Sequence, residues 1–205
     1  MISTAIVISY DNDNQLGSYF SECAQYAVNF LEAYINISCM NNSQCNSVYF
    51  DMKVLPMLSE KNSILVIYSH GNENAFLYQN KPFIESTINT DNIQNTVVYT
   101  NSCSTGKVFG KTFDKLGGVF IGYESDLLVP TDPFYRKVFI RCDNSGLFHL
   151  FKEKIKLADL SKAVKNNFNH NIDNLYESNY VIASYLQEAR DNFVVLGQNL
   201  NRTII

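Results

Sequence analysis

The chain has 205 residues, 46% of them hydrophobic and 18% charged, with 16 basic and 20 acidic side chains for a net charge of −4. That length favours one domain over two and can bury roughly 70% of the surface an unfolded chain exposes, without disulfide or metal staples. The composition excludes a disordered chain, no apolar run approaches the ~20 residues of a membrane helix, and the acidic balance argues against a dedicated nucleic-acid binder, although a local basic patch stays open.

The opening MISTAIVISYD lacks a basic start, a secretory apolar core and a cleavage site. Residues 4–10 (TAIVISY) therefore read as a buried strand, with the cytoplasm as the expected compartment and the five cysteines expected to be thiols. Leu16, Phe20, Ala24, Ala27, Leu31 and Ile35 recur at helical spacing, predicting a helix over 15–37 capped by Asp13 or Asn14. Residues 47–53 (SVYFDMK) read as a second strand and 63–69 (SILVIYS) as a third, more apolar one. Residues 76–78 and 82–84 suit a small hairpin around QNK, and 96–100 (TVVYT) a fourth strand. Val108, Phe109, Phe113 and Leu116 mark a helix stopped by Gly117 and Gly118, before a fifth strand at 119–123 (VFIGY). Helical spacing follows over 134–142, 147–155 and 157–168, with a break at 144–146, then over 180–190, ahead of a last strand at 193–196 (FVVL). There is no fixed-period repeat and no linker rich in Pro, Gly or Ser, so residues 1–205 are expected to form a single domain.

Continuous apolar strands alternating with helices indicate an α/β fold with a mostly parallel sheet covered on both faces. In such sheets functional groups gather beyond the carboxyl ends of the strands. The third strand delivers Ser69-His70-Gly71 and the fourth Asn101-Ser102-Cys103-Ser104-Thr105-Gly106. Adjacent parallel strands lie about 4.8 Å apart, so His70 and Cys103 can flank one substrate carbonyl as general base and thiol nucleophile. Gly71 lets the backbone approach a ligand closely, and its N–H with that of Cys103 would hold an oxyanion. The helix entered at 104–106 is expected to favour the thiolate of Cys103. Cys23, Cys39, Cys45 and Cys142 read as small buried hydrophobes, and His149 and His170 as structural. No spacing suits zinc. The first strand is followed by the acidic DNDNQLG, without G-x-G-x-x-G or a Walker pattern, which disfavours a nucleotide site. No G-x-S-x-G elbow is present for a serine hydrolase.

The order strand–His-Gly, then strand–x-x-Cys-x-x-Gly, resembles the caspase-like (clan CD) cysteine peptidases. ILVIYSHG (64–71) is similar to their histidine segment and VVYTNSCSTG (97–106) to the cysteine segment of CHAT proteases and metacaspases. LGGVFIGY (116–123) and NFVVLGQ (192–198) resemble the strands that follow. The resemblance spans most of the chain and implies a three-layer α/β/α caspase-like (caspase-hemoglobinase) fold with about six strands. It also implies a cysteine endopeptidase with Cys103 as nucleophile, His70 as base and later acid, oxyanion donors at Gly71 and Cys103, a thioester intermediate, and no cofactor or metal.

Two departures favour the CHAT group: Asn101 stands where metacaspases usually carry aspartate, and Ser104 where they usually carry histidine. In that family, acidic residues in the primary specificity pocket near the strand ends select Arg or Lys. Asp11, Asp13, Asn101, Glu124 and Asp126 are the corresponding candidates here, against the plainer reading of the acidic ones as loop charges and helix caps. The expected partners are a protein substrate and, because the chain leaves no room for a recognition domain, a separate activating or regulatory protein, with no direct nucleic-acid or membrane contact. A regulated bacterial effector is the biological role that analogy suggests. The alternative is a catalytically idle caspase-like scaffold used for interaction.

Overall fold

Two six-residue runs, TAIVIS and SILVIY, are buried at every position and form β1 (Thr4–Ser9) and β3 (Ser63–Tyr68), paired side by side. Around them β2 (Asn36–Asn41), β7 (Val97–Thr100), β8 (Val119–Tyr123) and β9 (Phe193–Leu196) complete a six-stranded sheet of order β2-β1-β3-β7-β8-β9. All pairings are parallel except β8 with β9, so the sheet is mixed. The computed structural model describes residues 2–9, 16–60, 63–87, 93 and 96–204.

Alternation along the strands divides the apolar side chains between two cores. Val7, Val66, Tyr68, Tyr99 and Ile121 face a core built with α1 (Gly17–Leu31), α5 (Pro133–Phe151), α6 (Leu157–Tyr176) and α7 (Tyr180–Asn192). Ile6, Ile8, Leu65, Ile67, Val98 and Phe120 face the other. That second core is closed by three pieces. One is a helical stretch made of α2 (Ser47–Tyr49), a π-helical turn (Phe50–Val54) and α3 (Leu55–Glu60). Another is a small antiparallel sheet of β4 (His70–Gly71), β5 (Ala75–Tyr78) and β6 (Lys81–Glu85). The last is a π-helical turn (Gly106–Gly110) running into α4 (Lys111–Lys115). The fold is thus α/β, with cover on both faces of the sheet, compatible with three α/β/α layers.

The hairpin expected around QNK is present, its turn residues Gln79 and Asn80 both at positive φ (49° and 61°), as a tight hairpin turn requires. Gly117, at φ 90°, ends the α4 segment. Five expectations are corrected. Residues 47–53 are helical: the Asn46 side chain accepts from the Tyr49 N–H, and Phe50, Val54 and Leu58, four apart, face the second core. The second strand is instead β2, so the first helix stops at Leu31 and does not reach residue 37. The break at 144–146 is absent, because α5 runs unbroken from Pro133 to Phe151. There Asn144 accepts from the Tyr68 hydroxyl and donates to the Ile140 carbonyl, while Gly146 admits the Tyr99 ring. Helix α6 also continues past the expected 168 to Tyr176. The five cysteines are free thiols, and Cys39, on the outer strand, is exposed where a buried residue was expected. Among the described residues, no helix is long and apolar enough to cross a membrane.

Candidate active site

β3 and β7 pair with Ile64 opposite Val97 and Ile67 opposite Thr100. His70 and Cys103 each lie three residues beyond the last of those pairs, so the two strands project them to the same edge of the sheet. Buried hydroxyls tie the strand ends together there. Thr100 Oγ1 donates to the Ile67 carbonyl at 2.7 Å and lies 2.9 Å from Ser102 Oγ, which in turn lies 3.2 Å from Ser69 Oγ. Gly71 then packs directly on the cysteine turn. A Cβ at Gly71 would stand 2.8 Å from the Cys103 carbonyl oxygen, 2.7 Å from Thr105 Cγ2 and 2.9 Å from Ser102 Cβ. Only glycine permits that approach, and it brings the segment carrying His70 against the segment carrying Cys103.

The His70 ring meets the Phe20 ring of α1 edge to face, with centroids 5.2 Å apart. This is a favourable aromatic arrangement, and it packs the imidazole against a helix of the first core. Cys103 is half-buried, and its Sγ accepts from the Leu127 N–H at 3.4 Å. Leu127 belongs to the segment that follows β8. The same segment grips Ser104, whose N–H donates to the Ser125 carbonyl and whose Oγ donates to Asp126 Oδ1 at 2.8 Å. Ser104 sits in the left-handed region at φ 58°, a conformation uncommon outside glycine that needs such partners to hold it. Burial raises the Cys103 thiol pKa. The Leu127 N–H acts in the opposite sense, and the charges of Asp126 and Asp143 add to the rise. Burial, the largest cause, thus acts against the lowered thiol pKa expected from the following helix.

The remaining candidates fall in different places. Asn101 is 3% exposed and turns away from solvent; its Nδ2 donates to Asp143 Oδ2 at 3.3 Å and to Cys23 Sγ at 3.6 Å. Glu124 pairs with Lys111 at 2.9 Å. Asp126 is exposed and accepts the Ser104 hydroxyl. Asp11 and Asp13 lie outside the described residues. The acidic wall read from the sequence is thus reduced: one described carboxylate is ion-paired, one is exposed, and the asparagine faces inward.

Beneath the site lies a polar cluster that sequence reasoning missed. Asp143 of α5, 4% exposed, accepts from the Tyr19 hydroxyl at 2.5 Å and the Tyr123 hydroxyl at 2.7 Å. The Tyr99 hydroxyl donates to the Asp143 carbonyl. Burial pushes the Asp143 carboxyl pKa up, while hydrogen bonds from Tyr19, Tyr123 and Asn101 oppose the rise. The Oδ1 of Asn101 is buried without a hydrogen-bond partner among the described residues. A usable signal was present: Tyr68, Tyr99 and Tyr123 stand at or near the ends of three apolar strands, and a lone aspartate interrupts an apolar helix face.

Compared with protein-family models and with curated proteins, the chain matches none.

Proposed function

We propose that this chain is a caspase-like cysteine endopeptidase of CHAT type, working through a Cys103–His70 dyad on a protein substrate. The observation that carries the reading is the packing of Gly71 on the turn of residues 102–105, which sets the histidine and cysteine segments against each other at one sheet edge. The parallel strands before both residues and the cover on both faces of the sheet support the caspase-like fold.

In the proposed reaction, His70 takes the thiol proton as Cys103 Sγ attacks the scissile carbonyl carbon. The backbone N–H groups of Gly71 and Cys103 receive the oxyanion. Collapse breaks the C–N bond, the proton passes from His70 to the leaving amine, and a thioester remains. Water then gives a proton to His70 and attacks the thioester, releasing the acid and restoring the thiol. Burial raises the thiol pKa, so the proposed reaction calls on His70 to take the thiol proton. Asp126 is the described carboxylate available to a basic side chain before the cut. The activating partner proposed for this chain would act by moving the segment following β8, whose Leu127 N–H is bonded to the sulfur. By analogy with the caspase-like group alone, a cytoplasmic bacterial effector is the proposed setting.

A substrate-library cleavage profile tests the proposal. Wild type, supplied with its native partner, should cut at a preferred side chain, and Cys103→Ala and His70→Ala should each abolish the cuts. Cleavage unchanged in both variants sinks the peptidase.

One observation favours a second reading, an idle scaffold: the sulfur is half-buried with a raised pKa. A Cys103 that stays unmodified by a thiol-reactive electrophile at neutral pH, in the fully assembled protein, would favour the scaffold.

A further inference from the structure

The buried carboxylate of α5 touches three elements around the dyad, α1, β7 and β8. Through Tyr19 it grips α1, where the next residue, Phe20, packs on the His70 ring. Through Asn101 it grips the end of β7, two residues before Cys103. Through Tyr123 it grips the last residue of β8, from which the chain enters the segment carrying the Ser125 carbonyl, Asp126 and the Leu127 N–H that hold Ser104 and the sulfur. Three elements distant in sequence thus converge on one side chain. No cation pairs with it among the described residues; its oxygens are met by neutral donors alone. An isolated carboxylate in a core is costly, and an apolar residue would fill the space at less expense. What the carboxylate gains for that cost is a grip on three elements at once.

We infer that Asp143 is a positioning residue: it fixes the relative placement of the His70 ring, the Cys103 sulfur and the Leu127 N–H by holding Tyr19, Asn101 and Tyr123 at one point. This deepens the peptidase reading and rests on it for its catalytic meaning, but the placement can be measured without cleavage. The titratable groups facing Asp143 are Tyr19 and Cys23 from α1, Tyr68 from β3, Tyr99 from β7 with Cys103 beyond its end, Tyr123 from β8 and its neighbour Cys142 on α5. All are phenols or thiols whose pKa values burial raises, so they stay neutral near pH 7.

The test is the pH profile of Cys103 alkylation by iodoacetamide, read by peptide mapping so that exposed Cys39 is counted apart. Asp143→Asn, Tyr19→Phe and Tyr123→Phe are compared with wild type and with Leu150→Val, a core change in the same helix that meets none of the three elements through hydrogen bonds. Thermal melts establish that each variant is folded. The midpoint of the profile is expected to move by at least half a pH unit in Asp143→Asn and measurably in each tyrosine variant, while Leu150→Val melts lower with an unchanged profile. If wild type cleaves a peptide through Cys103, Asp143→Asn should lower kcat at least ten-fold and leave KM within about two-fold. Folded variants that all keep the wild-type profile overturn the inference. Should Asp143→Asn fail to fold, the two tyrosine variants decide. A wild type without any Cys103-dependent cleavage would remove the peptidase reading, yet the alkylation profiles would still decide whether Asp143 sets the geometry.

Discussion

At the scale of single residues, the close approach of Gly71 is the feature most sensitive to substitution. The atoms a methyl group would strike are a backbone oxygen and two short, buried side chains, and none can swing away. Gly71→Ala should therefore cost about 1–3 kcal/mol in a denaturant titration and part the two reactive segments, with a larger loss in any Cys103-dependent activity than in stability. Cys103 offers a second expectation. A folded pKa above the ordinary thiol value means less thiolate at neutral pH than in a free cysteine. Its alkylation should be slower than that of a small-molecule thiol at pH 7 and should climb through the alkaline range above the ordinary thiol value. A rate at pH 7 equal to that of the free thiol would contradict the burial argument. The sequence made His70, Gly71 and Cys103 legible because each follows an apolar strand. It hid the inward turn of Asn101 and the Lys111–Glu124 pair, since both depend on which side chains the fold later sets opposite them.

At the scale of elements, the strands were easier to read than the helices. TAIVIS and SILVIY are buried on both faces, so a continuous apolar run sufficed to find them. β2 is a polar outer strand, NISCMN, which carries little apolar signal of its own. SVYFDMK offered more β-branched and aromatic residues than NISCMN, yet the Asn46 cap and the four-residue spacing of Phe50, Val54 and Leu58 made it helical. Asn144, Ser145 and Gly146 look like a stop, and only their tertiary partners show otherwise. That gives a test against intrinsic propensity. Alanine is favoured over glycine in a helix by up to about 1 kcal/mol, but a Cβ at Gly146 would lie 2.7 Å from Tyr99 Cε2 and 2.8 Å from its hydroxyl. Tyr99 is buried and hydrogen-bonded to α5. Gly146→Ala should lower the melting temperature; a rise would show that the Tyr99 ring yields freely.

At the scale of the whole molecule, the cysteine turn is held from both cores. Asp143 grips it on one side of the sheet. On the other, Phe109, three residues into the π-helical turn, packs with Phe76, Phe113 and Phe120, and its N–H donates to the Glu73 carbonyl in the loop after His70. Phe109→Ala should cost about 3–5 kcal/mol. The nearby Lys107–Glu73 pair, at 3.0 Å and exposed on both sides, should contribute at most about 1 kcal/mol, as a Lys107→Ala melt would check. A Phe109 cost no greater than that of Lys107 would show that this core does not brace the site. The α/β class was readable from alternating segments alone. The division of labour between the two cores was not, because it depends on which face of each strand meets which distant helix.

The hairpin turn at Gln79 and Asn80 falls between the two reactive residues in the chain, whereas the sheet joins them through β3 and β7. A polypeptide severed at that turn would bear its imidazole on one fragment and its sulfur on the other, with the β5–β6 ladder and the hydroxyl contacts left to reunite them. Such a split pair would be silent as separate halves and would report, by regained thiol chemistry, each event that brings them together.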